Sequence, residues 1–103
     1  MENPVKKISD DIVKYQKDSI VSNMLMDKER GSVTLFAIDQ DQGISEHTTP
    51  FDALVQIIEG EATITISGEK HNLKAGEFII MPANDPHAVK AVTKFKMLLT
   101  MIK

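Results

Sequence analysis

Glu61-Ala62-Thr63-Ile64-Thr65-Ile66-Ser67 is the stretch whose reading decides the fold. Successive side chains of a strand point to opposite faces, so Ala62, Ile64 and Ile66 share one face and Glu61, Thr63, Thr65 and Ser67 the other. Glu59-Gly60 before it and Ser67-Gly68-Glu69 after it read as tight turns, where glycine takes φ > 0 without steric cost. Toward the N-terminus, Asp52–Ile58, Ser32–Ile38 and Ser19–Met26 read as further strands. The polar stretches Asp27–Gly31 and Asp39–Gly43 separate them. Toward the C-terminus come His71–Leu73, a turn at Ala75-Gly76, and then Glu77–Met81. Pro82 stops that strand because it cannot donate to a ladder. His87–Val92 and Phe95–Ile102 complete about eight strands at intervals of roughly ten residues, the spacing of a sandwich, jelly roll or barrel. The alternation predicts burial of Ala62, Ile64, Ile66, Val55, Ile57, Ile79 and Leu98. Only the N-terminus offers a helical turn, with Ser9 as cap ahead of Asp10, Asp11, Ile12 and Val13.

The 103 residues hold one domain with one modest core, and 42% hydrophobic against 26% charged residues is the balance of a folded chain. Residues 1–18 form a polar leading segment and 19–103 the barrel. A net charge of −3 and scattered basic residues argue against a nucleic-acid or anionic-membrane surface. Cysteine is absent, which removes disulfides, thiolate metal sites and a Cys nucleophile. No apolar run approaches the roughly 18 residues of a membrane span. Met1 to Asp18 lacks the apolar core of a secretory signal, so a cytoplasmic location is expected.

The segment from Gly43 to Ala91 carries a resemblance. Gly76, five residues, Pro82, then Asn84, His87 and Ala91 resemble G-x5-P-x-G-x2-H-x3-N, the second motif of the cupin superfamily. Asn84 stands where glycine is usual, a tolerable exchange because Asn accepts the left-handed conformation better than most residues. Ala91 stands where asparagine is usual. Counting back from Gly60 through the first motif, G-x5-H-x-H-x3-4-E-x6-G, places His47 and Thr49 at its histidines and Ala53 at its glutamate. Three residues separate Gly43 from His47 instead of five. The resemblance implies an all-β, cupin-type double-stranded β-helix, a jelly-roll barrel of two antiparallel sheets.

It also implies a site. Metal-binding cupins converge two histidines, a carboxylate and a third histidine on a divalent cation, a donor set suited to Fe, Mn, Ni, Zn or Cu. This chain keeps His47 and His87. Ala53 offers no ligand, Thr49 at best a weak neutral one, and the lost carboxylate removes charge compensation. A divalent transition metal, if held on His47 and His87, is therefore expected to be weakly bound. Asp52 alternates to the face opposite Ala53, and His71 lies between Lys70 and Asn72 as a surface residue. His47, Thr49, Ala53, Phe36, Met81 and His87 are the expected pocket lining. Phe95 is a further candidate, and Phe51 a candidate gate at the mouth.

Two functions follow from these residues. One is a small cupin domain binding a small molecule in its barrel, with an incomplete metal site. The alternative is a metal-dependent enzyme of the dioxygenase or isomerase kind, against which Ala53 weighs. No Ser-His-Asp arrangement or glycine-rich phosphate loop is legible, and Tyr15 lies too near the N-terminus to be placed in the cavity. In Ser19–Met26, Ile20, Met24 and Met26 are expected on one face and Val21 and Leu25 on the other. The surplus apolar face, with the outer sheet around Gln56 and Ile58, suits a homodimer, which the resemblance also implies.

Overall fold

The computed structural model describes residues 3–8 and 12–103. Among the described residues nine strands build two antiparallel sheets: β1 (Ile20–Lys28), β2 (Gly31–Ile38), β3 (Gly43–His47), β4 (Asp52–Glu59), β5 (Glu61–Ile66), β6 (Glu69–Lys74), β7 (Phe78–Met81), β8 (His87–Ala91) and β9 (Phe95–Ile102). Five strands run β1-β2-β9-β4-β7 and four run β3-β8-β5-β6. The order interleaves distant strands, as a jelly roll requires. Among the described residues there is no helix, and so none long and apolar enough to cross a membrane.

The alternating positions carry the core. Ala62 and Ile64 from β5, Val55 and Ile57 from β4, Val89 and Ala91 from β8, and Phe95 and Met97 from β9 are buried together between the sheets. Ile66 and Ile79 are half-buried against them. Leu98 departs from the expectation. It sits on the outer face of the five-stranded sheet, because on β9 the inward residues are 95, 97, 99 and 101.

A second, smaller core lies on that outer face. Val13, 2% exposed, is buried with Leu35 and Ala37, and Ile12, Tyr15, Val21, Ile58 and Leu98 pack around them. The Tyr15 hydroxyl donates to a Glu59 carboxylate oxygen at 2.7 Å. Lys94 and Lys96 place their ammonium groups 4.9 and 5.4 Å from the Tyr15 ring centroid. Residues 12–15 thus form a strap against the barrel. Burial, and then the Glu59 carboxylate, push the Tyr15 hydroxyl well above its ordinary pKa. The expected helical cap at Ser9, Asp10 and Asp11 lies outside the described residues. Ile12 and Val13 form a turn and bend.

Strand β1 also differs from its simple alternation. A bulge between Met24 and Met26 pairs Met24 with Thr34 but Met26 with Val33. Met26 therefore moves to the face opposite Met24.

Candidate ligand-binding site

The ends of β3 and β8 meet where the barrel opens. His47 and His87 are direct register partners, and both side chains turn inward. Three loop contacts fix this end. The backbone N–H of Asn84 donates to the Thr49 carbonyl at 2.7 Å, joining the β7–β8 loop to the segment after β3. The Thr49 hydroxyl donates to the Phe51 carbonyl at 3.1 Å, closing a local turn. Asp52, on the outer face, accepts from the Ala83 N–H at 2.8 Å. Asn84 holds φ 69°, the left-handed conformation that its place in the motif requires.

The two imidazoles meet edge to face, with ring centroids 4.3 Å apart and planes at 71°. Their Nε2 atoms are 3.1 Å apart. His47 Nδ1 lies 2.9 Å from the Ser45 carbonyl oxygen and His87 Nδ1 3.2 Å from that of Asp85. A carbonyl oxygen only accepts, so both Nδ1 atoms carry the hydrogen. In that tautomer each neutral ring carries its lone pair on Nε2, and the two Nε2 atoms stand in contact. His87 is buried at 4% exposure, while His47 is exposed at the mouth. Burial, with His47 beside it, holds the His87 pKa below its ordinary value, although the Asp85 carbonyl pulls the other way.

Behind the pair lies a cavity of about 50 Å³. His47, Thr49, Ala53, Met81 and His87 line it, together with Ile44, Val89, Met97, Leu99 and Met101. Phe36 lies elsewhere, half-buried against the core opposite Met97 in register. Phe95 is deep in the core and Phe51 is outside the lining. Asp52 points away to the loop. His71 is half-buried on edge strand β6, away from the cavity. Among the described residues, no three of His, Cys, Asp and Glu gather as a metal-binding group. The four-ligand set of metal-binding cupins therefore does not fit; of that set, two imidazoles remain.

Met97 and Met101 went unread as wall residues. Alternation from Phe95 carries the signal, since 95, 97, 99 and 101 share a face. Ala53 pairs with Met81 on one side and Met101 on the other, so two methionines flank the empty carboxylate position.

Comparison with known proteins agrees with this architecture. Residues 34–103 match the Cupin domain family model. The chain belongs to the cupin family. A conserved protein of unknown function from Streptococcus pyogenes is 36% identical to this cupin, with a TM-score of 0.92 over 100% of this chain and 90% of that one. A cupin 2 conserved barrel domain protein from Leptotrichia buccalis is 38% identical at a TM-score of 0.87 over 90% of this chain. This cupin spans only 45% of that longer chain. A cupin superfamily protein from Desulfitobacterium hafniense is 26% identical at a TM-score of 0.90, covering 99% of this chain and 92% of its own. No curated protein matches the sequence.

Proposed function

We propose that this cupin is a binding domain whose cavity takes a very small ligand against the Nε2 atoms of His47 and His87. The observation that carries this reading is the 3.1 Å approach of the two Nε2 atoms, with a backbone carbonyl against Nδ1 of each ring. Such a pair is relieved by an electron-pair acceptor, either a hydrogen-bond donor or a cation. Size supports a few-atom ligand, because about 50 Å³ falls far below the roughly 300–1,000 Å³ of ordinary organic-ligand pockets. A divalent metal here is held by two imidazoles and completed by water or an exogenous anion. Binding is favoured over catalysis because Ala53 and Thr49 supply neither the carboxylate nor the third imidazole of a tight centre. The test is elemental analysis of protein purified without chelator or added metal, followed by calorimetric titration with zinc sulfate. Substoichiometric metal and weak, chelator-reversible zinc binding support the reading. A fully occupied divalent metal that resists chelation overturns it.

We also propose that the chain pairs with a second copy through its five-stranded sheet. Phe78, Ile80 and Ile102 are 63%, 57% and 66% exposed, and Met24, Leu25 and Met26 lie bare on edge strand β1. An open groove of about 430 Å³ runs between Leu54, Ile80, Thr100 and Ile102. The strap covers the face near Ile58, so the free apolar surface lies toward β7 and the end of β9. The longer Leptotrichia buccalis chain has room for a second domain of this size, which fits a barrel that works beside another.

A further inference from the structure

The metal site of metal-binding cupins is built for a divalent ion, with a carboxylate to offset its charge. Among the described residues no carboxylate lines this cavity, and its soft donors are thioethers. Met81, Met97 and Met101 line it beside the two imidazoles, and Met81 and Met101 flank Ala53 from the neighbouring strands. The Thr49 hydroxyl is turned to the Phe51 carbonyl.

From this donor set we infer that the cavity is a site for Cu(I), held by Nε2 of His47 and His87 and the thioether sulfur of Met81 or Met101. The inference rests on the reading of the cavity as a binding site and names the class of its ligand. Thioether and imidazole are neutral donors, and thioether sulfur selects Cu(I) over Fe, Mn and Zn. Charge argues the same way. The cost of taking an ion out of water rises with the square of its charge, so a +1 ion suits a neutral, apolar wall far better than a +2 ion. Geometry permits shared ligation. Two nitrogens each about 2.0–2.1 Å from one ion are roughly 3 Å apart when the angle between them is near a right angle, and the Nε2 atoms are 3.1 Å apart. Access is open, because His47 is exposed while His87 and Met81 lie buried behind it.

The competing account is that these methionines only fill core gaps. Leucine substitution separates the two, since Met to Leu conserves volume but removes the sulfur. The experiment is anaerobic competition for Cu(I) between the purified full chain and bicinchoninate under reductant, run beside zinc sulfate titrations of the same proteins. One Cu(I) per chain is expected, with binding lost in His87→Ala. In the double variant Met81→Leu, Met101→Leu, Cu(I) affinity should fall at least tenfold while zinc affinity changes less than twofold. X-ray absorption should show a sulfur neighbour of copper in the wild type that the double variant lacks. Equal Cu(I) affinity in the double variant overturns the assignment. Zinc binding without Cu(I) binding removes Cu(I) while leaving the cavity reading in place, and binding of neither removes Cu(I) together with the metal form of that reading.

Discussion

At the residue scale, position 53 decides how this site differs from a metal-binding cupin centre. Ala53 is buried between Met81 and Met101, opposite the imidazole pair. Replacing it with Glu, together with Thr49→His, restores an anionic ligand and a third imidazole. Zinc affinity should rise by at least about 100-fold in a chelator competition. Without metal the same protein should lose about 2–4 kcal/mol of stability, because a carboxylate is then buried without a partner. Urea unfolding with and without zinc reads both effects, and an unchanged zinc affinity would remove His47 and His87 from one shared site. Asn84 makes a second point at this scale. Its φ of 69° and its N–H bond to Thr49 hold the two motif loops together. Asn84→Val, β-branched and strained in that conformation, should cost about 1–3 kcal/mol, whereas Asn84→Gly should be nearly neutral.

At the scale of elements, the strap and the β4–β5 turn carry separate predictions. Tyr15→Phe removes the hydroxyl bond to Glu59 and, because the contact is partly solvated, should cost about 1 kcal/mol at neutral pH. The raised folded-state pKa means that the unfolded chain gives up the Tyr15 proton first. The stabilisation is therefore complete below the unfolded value near 10 and declines as pH climbs above it. Denaturation at pH 8 and pH 11 should show a smaller loss in Tyr15→Phe than in the wild type. At Gly60, with φ 82°, an added Cβ would lie 2.3 Å from the Lys94 carbonyl oxygen and 2.8 Å from the Phe95 Cα. Both are backbone atoms and cannot swing away, so Gly60→Ala should abolish folding or lower the melting temperature severely. Legibility in the sequence divides along the same elements. β4 and β5 were readable because their two faces differ in polarity. β3 is absent from the strands legible in the sequence because Gly43-Ile44-Ser45-Glu46-His47 holds one apolar residue in a mostly polar run. On β7 the uniform run Phe78-Ile79-Ile80-Met81 gives no contrast of polarity, yet alternation puts Ile79 and Met81 inside, and the structure has Phe78 and Ile80 exposed. The bulge that reverses Met26 leaves no mark in the local sequence. At the site, the spacing of Gly76, Pro82 and His87 survives in this chain and could be counted. The 3.1 Å approach of the rings depends on loop geometry that no spacing encodes.

At the scale of the molecule, the five-stranded sheet presents two faces of different character. One is the barrel wall. The other is partly covered by the strap and otherwise bare around Phe78, Ile80 and Ile102. Light scattering at micromolar concentration should give twice the 11.5 kDa chain mass. Phe78→Asp with Ile80→Asp, both exposed in the single chain, should give a folded monomer with little change in circular dichroism. A wild-type mass near 11.5 kDa would reject the pairing. A dimer persisting in the double Asp variant would move the interface to β1.

The central claim is that His47 and His87 offer their Nε2 atoms, 3.1 Å apart, to one shared electron-pair acceptor. It is tested most directly by nitrogen-15 NMR of the histidine ring nitrogens in metal-free protein at about pH 8, before and after addition of zinc sulfate. The account predicts the Nδ1–H tautomer on both His47 and His87, with the two Nε2 resonances shifting together as zinc is added, and no movement at His71. An Nε2–H tautomer on either ring of the pair, or a zinc response confined to one of them, would contradict it.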